Sequence, residues 1–232
     1  MFKKVKVERV YQKVIEQIGE MIKTGYLKKG DKLPPERELV EQLGVSRTSI
    51  REAVRVLEIL GVIESRQGEG NFVTDRLDDT FFQPLSLAFM LRDSDPLEIL
   101  EIRKIMEVGI AGLAAQRITD NDLKKLKEII EKFKKCDSEK INATLDKEFH
   151  YIIIGASNNY LAKDIYTTIS LLFDQFIIGA RKEIMKEKKN QAILLSQHEE
   201  IYHAIEKRDP ASAEQAMKKH LDFVTEFYLT NQ

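Results

Sequence analysis

The chain has 232 residues, 43% hydrophobic and 32% charged, with a net charge of −1. Those values fit a water-soluble globular protein long enough for two cores, and exclude a bulk polycation. The single cysteine, Cys136, excludes an internal disulfide, and no apolar run approaches the ~18 residues of a membrane span. The start, Met1-Phe2-Lys3-Lys4, lacks the apolar stretch of a signal peptide, so a cytoplasmic location is expected.

Charge is unevenly spread. Residues 1–74 hold 14 Lys/Arg against 11 Asp/Glu, an excess of three positive charges. The remainder therefore carries four net negative charges. A mildly basic head on an acidic body suits contact with phosphate.

Val10, Val14, Ile18, Met21 and Ile22 recur at helical spacing and predict a first helix over 8–24, ended by Gly25. Lys28-Lys29-Gly30-Asp31 reads as a turn. Residues 34–70 then read as two short helices, a tight turn between them, and a small β-hairpin. Leu39 and Leu43 share a face of the first of these helices, and Gly44 suits a left-handed helix end. Ser46 is placed to cap the next helix, whose apolar positions are Ile50, Ala53, Val54, Leu57 and Leu60.

The polar face of that helix opens with Arg47, Thr48, Ser49 and Arg51. A helix entering a DNA major groove offers its first turn to base edges and its free N–H groups to phosphate. Arginine can bond guanine or phosphate through two N–H groups, and hydroxyls reach either. Val62-Ile63-Glu64 and Asn71-Phe72-Val73 predict two strands flanking Ser65 to Gly70, a wing. The plain alternative is an ordinary helical hairpin with solvated arginines.

After a polar linker, Thr74 to Thr80, everything reads as helix, over about 80–91, 96–117, 120–135, 138–156, 159–185, 189–207 and 210–229. Asp95-Pro96, Thr119-Asp120 and Asp209-Pro210 are helix starts. The fold class expected is mainly α: a winged helix-turn-helix of three helices plus a hairpin over 1–75, then an all-α antiparallel bundle over 76–232.

Four histidines are few enough for placement to carry information. Asp146 and His150 are four apart, on one face of one helix. His198 and His220 each lie 11 residues from Asp209, at the turn between the last two helices, so antiparallel packing puts them at similar height. One carboxylate and three imidazoles converging in a helical core suit a divalent ion such as Zn, Ni or Mn. The competing reading is histidines packed and hydrogen-bonded in the core. His203 is five residues from His198, about 140° round the helix, and reads as a packing or surface residue. The charge run 182–189 reads as a solvated helix end.

These segments carry a resemblance. Leu33-Pro34-Pro35-Glu36-Arg37-Glu38-Leu39, Gly44 to Ala53, Leu57, Gly61 and Gln67-Gly68-Glu69-Gly70 resemble the winged helix of the GntR family of bacterial transcription regulators. The resemblance implies Arg37, Arg47, Thr48, Ser49 and Arg51 as DNA contacts and Gly68 at the wing tip, in the minor groove. Pro35 departs from it, since members often carry a capping Ser there. Asp146 to His150 with Ala156, Asn158 and Leu161, and His198 to Ile201 with Ala204, Asp209, Ala213, Met217 and His220, resemble the FCD ligand-binding domain of the FadR subfamily. It implies Asp146, His150, His198 and His220 as ligands of a divalent metal, and a small carboxylate effector. Arg103 would face that effector through paired hydrogen bonds; otherwise it is a surface arginine paired with Glu107.

The function expected is a ligand-responsive regulator, by preference a repressor, binding an inverted repeat in double-stranded operator DNA as a homodimer. A metal sensor using the same residues is the runner-up. A helical metalloenzyme is the third reading, disfavoured because no general base or nucleophile is placed beyond the ligands.

Overall fold

The computed structural model describes residues 9–74, 91, 95–136, 138–185 and 187–230. The helix expected over about 80–91, and the linker beyond Thr74, lie outside the described residues apart from Leu91. The chain divides into two compact units, Met1–Pro84 and Leu85–Gln232.

In the first unit, α1 runs Val10–Lys23, α2 Glu36–Leu43 and α3 Arg47–Ile59. Gly44 ends α2 at φ 62° and ψ 31°, a left-handed conformation that glycine enters without a Cβ clash. The Ser46 side chain accepts from the Ser49 backbone N–H and so caps α3. Pro35 stands at the N-cap of α2 with no side-chain cap bond, while Glu36 and Glu38 supply negative charge to the first turn. Strands β1 (Ile63–Arg66) and β2 (Gly70–Val73) pair antiparallel, Ile63 opposite Val73 and Arg66 opposite Gly70. Val14, Ile18, Leu39, Ile50, Ala53, Leu57, Ile63 and Val73 form one buried cluster that holds helices and hairpin together. Val10 and Leu60, at the ends of their helices, are exposed instead.

The second unit is helical among its described residues: α4 Pro96–Arg117, α5 Asp120–Lys135, α6 Glu139–Ala156, α7 Tyr160–Ile184, α8 Lys188–Glu206 and α9 Pro210–Thr230. The caps are local and direct. Asp95 accepts from the Leu97 N–H, Thr119 from Asp122, and Asp209 from Ser212 at 3.1 Å. α4 lies along α9 and also meets α6, and α8 pairs with α9. Ala111, Ala114, Leu126, Phe149, Ile153, Ile201, Ala213 and Leu221 fill the space between them. The small side chains on α4 let its neighbours approach closely. α6, α8 and α9 turn one face each toward a shared interior, where the polar residues described next are buried.

Candidate functional sites

In the first unit, Ser46 fixes the start of α3. Arg47, Thr48 and Arg51 are exposed along its opening turns, and Ser49 is half-buried with its hydroxyl 2.9 Å from that of Ser46. Arg37 is exposed on α2 and pairs with Glu41 at 3.4 Å. Nε of Arg47 lies 3.9 Å from Glu36. Both are loose surface pairs, so neither guanidinium is committed within the chain. At the wing, Glu69 N–H donates to the Arg66 carbonyl at 3.0 Å. Gly68 occupies that turn at φ 77°, where only glycine is unstrained. The sequence missed two neighbours. Arg66 stacks over the Phe72 ring at 4.2 Å, and Lys32, bridged to Phe72 through its backbone, adds a second cation beside the wing.

In the second unit, Asp146, His150, His198 and His220 are all buried, and one ligand atom from each lies within 4.8 Å of the others. The structure thus brings together the four residues singled out by spacing. The His198 and His220 ring centroids are 4.7 Å apart. His203 stays outside, exposed and bonded to Glu206 at 3.1 Å.

The outer bonds of the imidazoles determine their tautomers. His198 Nδ1 lies 2.7 Å from the Leu194 carbonyl, and His220 Nδ1 lies 3.1 Å from Gln197 Oε1. Both partners are acceptors, so each Nδ1 carries a hydrogen and each Nε2 points inward. Burial, then the neighbouring His198 and His150, hold the His220 pKa well below the usual histidine value, which keeps that ring neutral. His150 Nδ1 lies 2.6 Å from Glu107 Oε2, an outer carboxylate of the kind that orients metal-bound imidazole.

Arg103 is buried, which excludes the surface-arginine reading, yet it is indeed paired with Glu107. Its Nε donates to Oε1 at 2.7 Å, and its Nη2 lies 3.4 Å from Oε2. The Tyr166 hydroxyl also donates to Glu107 at 3.0 Å. Burial by itself raises the Glu107 pKa, but Arg103 and then His150 outweigh it and hold the carboxyl well below the usual range.

Two more residues of the site gave no signal in the sequence. Arg181, just before the cationic run, is buried, with Nη1 2.6 Å from Asp146 Oδ1 and Nε 2.9 Å from Glu139. Asn142 is buried, donates to the Cys136 carbonyl at 3.0 Å, and leaves its Oδ1 without a hydrogen-bond partner among the described residues. Both line a cavity of about 250 Å³ that also reaches His198, Phe133 and Leu194.

The donor set fits a divalent ion. Among the described residues, both ring nitrogens of His150 and Nε2 of His198 are buried and make no hydrogen bond; the 2.6 Å contact of His150 Nδ1 with Glu107 is an ion-pair approach outside hydrogen-bond geometry. Nε2 of His198 lies 3.1 Å from Asp146 Oδ1 without making a hydrogen bond. A proton or a metal ion between two such atoms relieves their repulsion, and the two further imidazoles nearby suit a metal ion. Ligands around a centre with bonds of ~2.1 Å sit about 3–4 Å apart, so small side-chain adjustments close the set. Among the described residues no helix is long and apolar enough to cross a membrane.

Comparison with known proteins fits both units. Residues 10–73 match the bacterial regulatory proteins of the gntR family, and residues 98–223 match the FCD domain. The chain is 35% identical over 203 residues to the HTH-type transcriptional regulator LutR of Bacillus subtilis, covering 87% of this chain and 93% of that protein. It is 33% identical over 221 residues to the putative L-lactate dehydrogenase operon regulatory protein of Escherichia coli, covering 93% and 85%. A solved GntR structure from Streptococcus agalactiae superimposes with a TM-score of 0.65 at 28% identity, covering 93% of this chain and 99% of that one. The chain belongs to the GntR family of bacterial transcription regulators, in its FCD-containing FadR subfamily. It is a regulator with a DNA-binding helix-turn-helix and an FCD effector domain, not an enzyme.

Proposed function

We infer that this cytoplasmic regulator is a homodimer whose C-terminal domain, 76–232, holds a divalent ion (Zn, Ni or Mn) and a small carboxylate effector. Asp146, His150, His198 and His220 would be the ligands. The observation that carries this is the convergence of four buried ligand atoms within 4.8 Å of one another, among them a His198 Nε2 that makes no hydrogen bond. A bound ion would supply open positions for effector oxygens. Around it the chain's own residues orient the rings, through the Leu194 carbonyl, Gln197 and Glu107.

Charge supports an anionic effector. Asp146 is the only carboxylate in the ligand set, and the Arg103–Glu107 pair is neutral. A divalent ion beside Arg181 therefore leaves the site positive, and an anion restores balance. The cavity volume, about 250 Å³, suits a molecule of a few carbons. L-lactate is one probe to try, since one relative's name ties it to an L-lactate dehydrogenase operon.

The N-terminal domain, 1–75, would read half of an inverted repeat through Arg37, Arg47, Thr48, Ser49, Arg51 and the Gly68 wing tip. Exposed Ile102 and Ile105 on α4, and Leu161 and Ile165 on α7, offer apolar surface for the dimer. The effector alters DNA affinity only by binding the two DNA-binding states unequally.

The test is a thermal-shift screen against small carboxylates, before and after chelation. Stabilisation that needs the metal is expected for one compound class. Stabilisation lost on chelation, with no response to any carboxylate, would instead favour a metal sensor. Indifference to chelation would end the metal reading.

A further inference from the structure

Arg103 and Arg181 divide the labour differently from what their sequence context suggests. Arg103 has its Nε and Nη2 on Glu107 and is not part of the cavity wall. Arg181 is in that wall, 5% exposed, beside His198 and the unpartnered Oδ1 of Asn142. Its present hold is on Asp146, through Nη1 at 2.6 Å, and on Glu139, through Nε at 2.9 Å.

We propose that Arg181, rather than Arg103, binds the effector's carboxylate, and that Arg181 is released for this when Asp146 becomes a metal ligand. The proposal rests on the metal-site reading above. Asp146 Oδ1 now serves Arg181 at 2.6 Å and faces His198 Nε2 at 3.1 Å. Oδ1, lying nearer His198 than Oδ2 lies to His150 at 3.9 Å, is the oxygen an ion shared with His198 takes, and a guanidinium and a divalent ion on that one oxygen repel each other at low dielectric. Asp146 has its geometry set by α6 and the neighbouring imidazoles. Arg181 has a long side chain and a second anchor in Glu139. Arg181 is therefore the group that yields, keeping Nε on Glu139 while its Nη groups turn to the cavity. There a carboxylate can take two parallel N–H bonds, which a lysine could not offer. Asn142 Oδ1, bare in the same wall, accepts an O–H or N–H from the rest of the molecule. Metal and effector are then linked through one side chain: Arg181 resists the ion and rewards the anion.

This gives Arg181→Gln effects of opposite sign on the two ligands. The full-length chain is stripped with chelator, and Ni or Zn affinity is read by competition with a chromophoric chelator. Acetate, L-lactate and pyruvate are then titrated into metal-loaded protein by calorimetry, and the tightest is carried into the variants. Arg181→Gln should bind metal more tightly than the unsubstituted protein, and bind the carboxylate about 10–100-fold more weakly, the loss expected for a charge-assisted pair. Parallel loss of metal and carboxylate would make Arg181 a mere support for Asp146 and overturn the proposal. So would unchanged carboxylate affinity, which would return the role to Arg103. Should Arg181→Gln fail to fold, Arg181→Lys keeps the charge and removes the fork. Its carboxylate affinity should fall about tenfold with metal affinity little changed; full carboxylate affinity in Arg181→Lys sinks the idea. Failure of the unsubstituted protein to bind either metal would strike the metal-site reading itself, and the proposal with it.

Discussion

Glu107 Oε2 lies 2.6 Å from His150 Nδ1, while Oε1 of the same carboxylate accepts from Arg103 Nε at 2.7 Å. One buried acid thus neutralises a buried guanidinium and stands behind a candidate metal ligand. Glu107→Gln should therefore do two things at once. It leaves Arg103 buried and unpaired, which costs about 3–5 kcal/mol. The melting temperature should fall by roughly 6–20 °C. It also removes the carboxylate behind His150, which should weaken metal binding about 10–100-fold. Calorimetry and a metal titration on the same sample separate the two effects. A melting point within a degree or two of the unsubstituted protein would show that Arg103 finds another partner.

The metal-free protein should lose stability as pH drops below about 6.5, the ordinary histidine pKa. His220 has a depressed pKa in the fold, from burial and then from His198 and His150. A group with a depressed folded pKa stabilises the fold above its unfolded pKa. That contribution is lost on acidification, because the unfolded chain takes up the proton first. The slope is at most about 1.4 kcal/mol per pH unit for the one proton. Denaturant melts of chelated protein between pH 7 and 5 measure it, and His220→Gln should flatten it. An equal slope in both proteins would place the titration elsewhere.

Ser46→Ala should cost about 1 kcal/mol, because it removes the acceptor for the Ser49 N–H at 3.1 Å. It also strips the Ser49 hydroxyl of its neighbour at 2.9 Å. Operator affinity should fall along with stability, since that turn carries Arg47 and Thr48. Binding by Ser46→Ala equal to that of the unsubstituted protein, at a temperature well below its melting point, would separate the cap from the DNA face.

Arg47→Ala and Gly68→Ala should weaken DNA binding by different routes. If Arg47 reads a base, its loss costs about 1–3 kcal/mol on operator and far less on unrelated DNA. Gly68 has φ 77°, and an alanine there is strained by about 1–2 kcal/mol, so the wing turn rearranges. Gly68→Ala should therefore lower affinity for operator and unrelated DNA alike. Binding titrations on both duplexes at two salt concentrations distinguish them; equal losses for Arg47→Ala on both would assign it to phosphate.

Much of this molecule was legible because its signals are local. Asp95, Thr119 and Asp209 announce helix starts through residues two or three positions on, and each forms that bond. Gly44 and Ser46 fix the helix-turn-helix corner in the same way. The convergence of His198 and His220 was legible because both count from one turn at Asp209. Arg181 was not, since an arginine beside a lysine-rich run looks solvated, and it is its packing against α6 and against Phe133 of α5 that buries it. Glu107 showed as a partner for Arg103 at four residues, but its contact with His150 joins two helices and has no spacing to betray it. Asn142 gave no sign at all, because a bare acceptor is defined by what surrounds it.

Cys136 is the sole thiol in the sequence, half-buried, and its carbonyl holds the amide of Asn142. A single maleimide dye would thus label one place, beside an asparagine in the cavity wall, without any engineered cysteine. Its emission would follow cavity occupancy in real time, including in a mixture with operator DNA, where heat-based readouts overlap.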